Sequence, residues 1–450
     1  MSRPSADVVI CGAGIAGASA AYHLSVKRGI DRLLVVDPRP PLTLTSDKST
    51  ECYRNWWPNQ PMVELMNRSI DLLEDLAHET GNAFGLNRRG YLYATADPER
   101  LQRMSAQAEE TAALGGGVLR VHEGGDGYRP SDSHGFDRAL DGADLLDADA
   151  LRTHFPYLTR AAVGALHVRR AGWFSAQGLG ALMLERAGEA GAEMVKGSVS
   201  SVETTGGAVT GVTLGDGSTI ATDCFINAAG PYLGSVGKMV GVDLPVLAEI
   251  HQKLGFRDHL RALPREAPMV IWSDSQELDW TAEERAGLEA EGRTDLLGRM
   301  PVFCHGRPEG GLDSQYVLAL WEYHRQIMGD PVFPLPLDPL YPEVVIKGMS
   351  TMIPAMTAYA ESLPTPTVDG GYYLKTEENR PLIGPCGPPG SHVIGAFSGF
   401  GVMVAAGAGD LLAGHIVGDV LPDYAPAFSL SRYDDPAYLA EANANDSGQL

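Results

Sequence analysis

A short apolar run, Val8 to Cys11, leads straight into Gly12, Gly14 and Gly17, which spell G-x-G-x-x-G. Alone, four apolar residues are either a buried strand or a helix fragment, and periodicity cannot separate the two. The glycines decide it as strand, tight turn and helix. Gly12 permits the turn, and Gly14 lets the backbone approach a pyrophosphate. Gly17 lets the helix close on the strand, so that the helix N-terminus receives the anion. Ala18 to Leu24 continues as helix, and Gly29 is its stop. "RLLVVD" then reads as a second buried strand ending in Asp37, 20 residues beyond Gly17. A carboxylate at that distance accepts hydrogen bonds from a ribose. Strand, helix, strand and acid in register predict an α/β, Rossmann-like domain that binds an adenine dinucleotide. The fingerprint leaves FAD and NAD both open.

At 450 residues the chain exceeds the usual ceiling for one hydrophobic core, so two domains or an interleaved pair are expected. The net charge of −22 argues against nucleic acid or an anionic membrane as a partner. Cys11, Cys52, Cys224, Cys304 and Cys386 form no CxxC pair, which points to a reducing compartment without structural disulfides or a zinc site. The leader "MSRPSAD" has no apolar segment of the signal-peptide kind, and no apolar run reaches the roughly 18 residues needed to span a bilayer. A cytoplasmic location is the expectation.

The far end of the chain narrows the cofactor. Residues 376–418 read as a Pro/Gly loop, a strand from His392 to Ala396, a glycine turn at Gly399 and Gly401, and a small-residue helix to about Val417. Together with the opening fingerprint, this arrangement resembles the flavin-dependent amine and D-amino-acid oxidase superfamily, of the sarcosine oxidase and glycine oxidase type. "AGWFSAQGLGALMLERAGEAGAEMVKGSVSSVE" and "TDCFINAAGPYLG" resemble two middle stretches of that family, so the likeness covers roughly residues 5 to 420. It implies FAD, with the last helix aiming its positive end at the flavin pyrimidine. The cofactor contacts it implies begin with Gly12, Gly14, Ile15, Ala16, Gly17, Asp37, Pro38 and Arg39. They continue through Thr45, Ser46, Lys48, Ser49 and Thr50 to Val199, Ala229 and Gly230, and close with Gly399, Phe400, Gly401, Val402 and Met403.

The organisation expected is interleaved. Residues 1–80, 150–245 and 360–425 carry the signals of an FAD-binding domain with a parallel sheet. Residues 81–149 and 246–359 hold strand-like runs rich in Val, Tyr and Trp, such as "IHQKLGF" and "SQYVLALWEYH", and form a substrate domain on an antiparallel sheet. "TAEERAGLEAEGRTDLLG" reads as a solvated helix or loop. Residues 426–450 read as a polar tail, an arm or disordered.

"STECYRNWWP", residues 49–58, packs an acid, a thiol, an arginine and two tryptophans into one non-periodic run. The resemblance lays this segment across the flavin and into the substrate pocket. Arg54 falls where sarcosine-oxidase-like members hold the substrate carboxylate, a task suited to a guanidinium fork. Trp56 and Trp57 are expected to wall the pocket. The alternative reading pairs Arg54 with Glu51 or Glu64 and buries the tryptophans in the core. His324 falls near a family active-site histidine, Tyr373 is a second candidate, and His305 is a pocket-loop candidate.

Departures from the family pattern carry information. Gly371 stands where sarcosine-oxidase-type members have the flavin-attaching Cys, and residues 43–56 contain no histidine, so FAD is expected to be non-covalent. Met403 replaces a lysine that shares the substrate carboxylate. Leu318 to Leu320 lack the oxygen-activating lysine, and Lys253 and Lys347 lie on other segments. The expected activity is oxidation of a C–N bond of an amine or amino acid, with hydride passing to flavin N5 and an imine as product. Oxygen or another acceptor takes the electrons. A dehydrogenase or tailoring enzyme for a bulkier substrate, or a non-catalytic FAD subunit, are the alternatives.

Overall fold

The computed structural model describes residues 5–438 apart from 133, 138, 139 and 325. Strand Val8–Cys11 is buried along its whole length because it lies inside a six-stranded sheet. The order of that sheet is Leu382–Pro385, Ser391–Gly395, Phe225–Asn227, Val8–Cys11, Leu33–Asp37 and Glu193–Lys196. All pairs are parallel except the antiparallel edge, Leu382–Pro385 against Ser391–Gly395. Continuous Val/Ile/Leu runs suit such a sheet, since helices cover its faces.

Helix Ile15–Ser25 is buried on every side. It packs against the helices Gly401–Val417 and Ala176–Glu189. The contact with Gly401–Val417 requires small residues, because a Cβ on Gly409 would lie 2.2 Å from Ser19 Oγ. Ser19 Oγ donates to the Ala405 carbonyl at 2.6 Å across this interface. The close packing is what brings both helix N-termini to one place.

A ten-stranded sheet forms the second layer. Its longest strand, Leu247–Arg257, lies near one end of the sheet and pairs antiparallel with Tyr316–Leu320, Ile327–Met328 and Thr367–Lys375. Two pairs in this sheet are parallel, Met269–Trp272 with Tyr91–Thr95 and Leu119–His122 with Ala143–Asp147, so the sheet is mixed rather than antiparallel throughout. Strands Gly164–Val168 and Thr367–Lys375 hydrogen-bond into it, although both lie in segments expected to belong to the cofactor layer. Their alternating residues and turn-rich flanks fit either sheet, and only long-range pairing assigns them.

Two surface expectations change. Residues 281–298 form a helix, Ala282–Ala290, opened by a Thr281/Glu284 capping box, and they bury Leu288 and Leu296 in the core. Part of the expected tail is also packed. Phe428 is fully buried, and Arg432 donates to Glu378 at 2.8 Å and to the Pro381 carbonyl at 2.7 Å. Residues 439–450 of that tail lie outside the described residues. Among the described residues, no helix is long and apolar enough to cross a membrane.

Candidate active site

Two helix N-termini open onto one cavity of about 890 Å³. Helix Ile15–Ser25 begins at Gly14, and helix Gly401–Val417 begins at Phe400; neither has a side-chain cap. First-turn N–H groups that no N-cap side chain covers, and a positive dipole end, favour an anion or an electron-rich ring at both places, although Ser46 Oγ already meets Ile15 N. Gly12 stands at φ +113, and a Cβ there would sit 2.4 Å from the Ala228 carbonyl oxygen. Gly17 is tighter still, its missing Cβ 1.9 Å from the Gly12 carbonyl oxygen. Gly17 therefore lies beneath the cavity and shapes it, while Gly12, Gly14, Ile15 and Ala16 line it.

Asp37 lines the same cavity, and its carboxylate is already engaged. Oδ2 accepts from Ala13 N and Oδ1 from Arg39 N, both at 2.9 Å. Each oxygen keeps a second acceptor position for a ribose hydroxyl. Arg39 turns outward, 3.2 Å from the Tyr232 hydroxyl and within cation–π distance of Phe333. Neither Pro38 nor Arg39 is part of the cavity wall, and Val199 packs behind it with Cys11 and Val36. Ala229 and Gly230 line the cavity beside the glycine turn, and Gly399, Gly401 and Val402 line it as well.

The segment from Thr45 to Arg54 crosses between the layers as a strap. Thr45, Ser46 and Ser49 line the cavity; Ser46 Oγ accepts from Ile15 N at 3.0 Å, and Thr45 Oγ1 donates to the Tyr372 carbonyl at 2.9 Å. Lys48 points elsewhere, pairing with Asp47 and Asp369 at 2.7 Å each. Cations tie the strap's carbonyls from below. Lys253 donates to Asp47 O and Ser49 O, and fully buried Arg307 donates to Thr50 O at 2.8 Å.

Beyond the strap, a second cavity of about 590 Å³ shares Ser49, Tyr373, Ser398, Gly399 and Val402 with the first. Thr50, Phe400 and Met403 face this inner space rather than the first cavity. Arg54 enters it from strand Cys52–Arg54, which is held by pairing with Ala171–Trp173. The guanidinium is 6% exposed, donates to the Tyr93 hydroxyl at 3.2 Å, and lies 4.5 Å over the Trp57 ring. Trp57 in turn meets Phe400 edge-on at 4.8 Å. Trp56 does not wall the cavity; it is buried beside Cys52, Tyr91 and Tyr93. Of the two acids offered as structural partners of Arg54, Glu51 accepts from Ala176 N at 2.7 Å and lies 3.5 Å from Arg307. Glu64 accepts from Gln60.

Tyr373 spans both cavities, and Gly399 is there to admit it, since a Cβ would lie 2.2 Å from the Tyr373 ring. His251 stacks on Tyr373 at 3.7 Å. Burial raises the Tyr373 hydroxyl pKa, so the phenol stays neutral. His305 lines the inner cavity with Nδ1 2.8 Å from the Phe303 carbonyl oxygen, and burial lowers its pKa. His324 lies apart. It is exposed, 2.9 Å from Arg293 and 3.2 Å from Asp338, in an outer depression. It sits past the end of strand Tyr316–Leu320, where the chain has already left the sheet, which is why sequence position misled.

Sequence reasoning missed His251 and Glu322. The signal for His251 was present in "LAEIHQKL": the alternation sets Glu249, His251 and Lys253 on one face of Leu247–Arg257 and Ala248, Ile250 and Leu254 on the other. Three ionisable residues on a buried strand face are unusual without a site beside them. Ala396 and Ser398 also adopt positive φ, 56° and 48°, in the loop that delivers Gly399 and helix Gly401–Val417. Such strain in non-glycine residues clusters at ligand clamps.

The profile of the DAO family, described as FAD dependent oxidoreductase, matches residues 7–414. Human mitochondrial dimethylglycine dehydrogenase is 23% identical over 460 residues, covering 99% of this chain and 46% of its own length. The chain thus spans about half the length of that relative. The fold is similar to L-proline dehydrogenase from P. horikoshii, with a TM-score of 0.74, 19% identity, and coverage of 96% of this chain and 99% of the other. It is also similar to glycine oxidase from Geobacillus kaustophilus, with a TM-score of 0.72, 18% identity, and coverage of 95% and 99%.

Proposed function

We propose, since this chain belongs to the DAO family of FAD-dependent oxidoreductases, that it oxidises the C–N bond of an amine that carries a carboxylate. The first cavity fits FAD by its own chemistry. It has two helix N-termini whose N-cap residues supply no side-chain cap, a glycine turn with no room for side chains, and an acid at the ribose distance. Bound there, FAD supplies a two-electron acceptor for hydride from the carbon next to nitrogen. The protein's part is to bind, orient and dry the substrate.

The observation that carries the reading is Arg54, a buried arginine in a cavity that shares wall residues with the first. A carboxylate paired there, among Trp57, Tyr91, Met269 and Phe400, would hold the substrate at the inner end of the cofactor space. The names of the relatives, dimethylglycine dehydrogenase, proline dehydrogenase and glycine oxidase, fit substrates of this size class. The cofactor cavity's lining holds no Cys or His, which supports a non-covalent flavin.

The reading extends to the acceptor. Lys253 is committed to strap carbonyls and Lys347 to Asp279 and Glu284, and neither lines the two cavities. That favours a dehydrogenase whose electrons leave to an acceptor other than oxygen. The test is anaerobic mixing of the flavin-loaded protein with glycine, N,N-dimethylglycine, L- and D-proline and their decarboxylated amines. Bleaching of the flavin band by carboxylate-bearing members is the expected result. Bleaching by none, or equal bleaching by the decarboxylated amines, would overturn the proposal. Aerobic reoxidation no faster than that of free reduced flavin would mark a dehydrogenase.

A further inference from the structure

We propose that Glu322 receives the substrate's ammonium group in the inner cavity, takes a proton from it, and releases that proton outward. This rests on the amine chemistry proposed above. Among the described residues, Glu322 lines both the inner cavity and an outer depression that also contains His251, Tyr323, His324 and Asp338. Its side chain is 29% exposed, so it is reached from both spaces. Among the described residues, no other residue of the inner wall is shared with the outer depression.

The carboxylate is held by a built polar row. Oε1 of Glu322 lies 2.6 Å from Nδ1 of buried His251, and Nε2 of His251 lies 3.4 Å from Oε2 of Glu249. Glu249 pairs in turn with Lys375 Nζ at 2.5 Å. With His251 protonated, two carboxylates face two cations and the row is neutral. Burial alone would lower the His251 pKa, but Glu322 and Glu249 outweigh it and the net direction is up. Among the described residues, the other ionisable groups facing this space are His305 from strand Cys304–Glu309, Tyr373 from Thr367–Lys375, Tyr91 from Tyr91–Thr95, and Glu51, Cys52 and Arg54 from the strap and the strand that follows it. The neutral-leaning His305 is acted on by both Glu322 and Arg54. One cavity therefore presents an anion and a cation, which is the complement of a zwitterion.

An amino acid in water carries a protonated nitrogen with no lone pair, and hydride loss from its neighbouring carbon requires that lone pair. At Glu322 the ammonium N–H bond breaks, its electron pair stays on nitrogen, and the proton forms an O–H bond on the carboxylate. Nothing is oxidised in this step. Glu322 then returns the proton to water in the outer depression, leaving the dry side of the cavity undisturbed. If Glu322 only buttressed the stacked His251–Tyr373 pair, its charge would not matter to ligand or pH.

Two readouts on the flavin-loaded protein separate these cases. Trimethylglycine, a permanent cation with a carboxylate, reports the contact without turnover through its perturbation of the flavin spectrum. Glu322→Gln should weaken its binding roughly 10- to 150-fold, the range for a lost charged partner, while acetate binding is unchanged. Anaerobic reduction by N,N-dimethylglycine supplies the pH profile. The parent should vary little with pH across the neutral range, whereas Glu322→Gln should climb about tenfold per pH unit toward the substrate's own pKa. Glu322→Asp should restore the flat profile, and it serves as the folded control if the Gln variant loses flavin. Trimethylglycine that ignores the substitution, or fails to bind the parent, overturns the proposal, as does an unchanged pH profile. If the amine panel leaves the flavin oxidised, the proposed function fails while the trimethylglycine arm still reports on Glu322.

Discussion

Replacing Arg54 by alanine separates substrate binding from structure. The guanidinium's contacts include a hydrogen bond to a neutral phenol, Tyr93, and a cation–π contact with Trp57. The first contributes about 1 kcal/mol and the second about 1–2 kcal/mol when desolvated. Against this, removing a cation from a 6%-exposed position relieves a desolvation penalty. The net stability loss should be about 1–3 kcal/mol, roughly 2–10 °C in Tm for a domain of ordinary size. The effect on a carboxylate substrate is larger, because truncating one partner of a buried charge pair costs about 2–5 kcal/mol, roughly 30- to 4,000-fold in kcat/KM. Amines without a carboxylate should change little, and Arg54→Lys should fall between, since an ammonium lacks the fork. The assay is anaerobic flavin reduction with matched amino acids and decarboxylated amines, beside a thermal melt with flavin retained. Equal losses for both substrate sets, or a collapse in Tm with loss of flavin, would refute the binding role.

Three further outcomes follow from the site. Asp37→Ala removes acceptors from both Ala13 N and Arg39 N as well as from the ribose, each worth about 1.5–3 kcal/mol for a charged partner. Flavin occupancy and Tm should therefore fall together, and an unchanged dissociation constant for FAD would contradict the assignment. Acid precipitation should leave the yellow colour in the supernatant; colour in the pellet would point to Cys52 or His305, which line the inner cavity. Buried Asp144 is held by Arg120, His122 and Arg169, and although burial opposes, these partners draw its pKa below the usual value. Its stabilisation is thus present above the unfolded pKa of about 3.9 and is lost as pH falls through the lower folded value. Asp144→Asn should cost about 3–5 kcal/mol near neutral pH and blunt the acid side of the stability curve, read by chemical denaturation across pH.

The first 37 residues alone determine a great deal. Steric demand at Gly12 and Gly17 is local, and the spacing to Asp37 is set by one strand, one turn and one helix, so sequence suffices there. The small-residue run at 401–417 is legible for the same reason, as only Gly, Ala and Ser permit two helices to touch at Ser19 and Gly409. Arg54 and Trp57 were readable as a cluster, but the sequence could not say that Trp56 turns into the core while its neighbour faces the cavity. Tertiary structure alone decided the inner cavity. It brings Arg54, His305, Glu322, Tyr373 and Phe400 from five separate stretches of chain to one wall. It also pairs Lys48 with Asp369, and leaves His324 past the end of its strand. Local periodicity specifies which face of a strand is buried, but not what is buried against it; that depends on pairings such as Glu249 with Tyr373, made across more than a hundred residues of intervening chain.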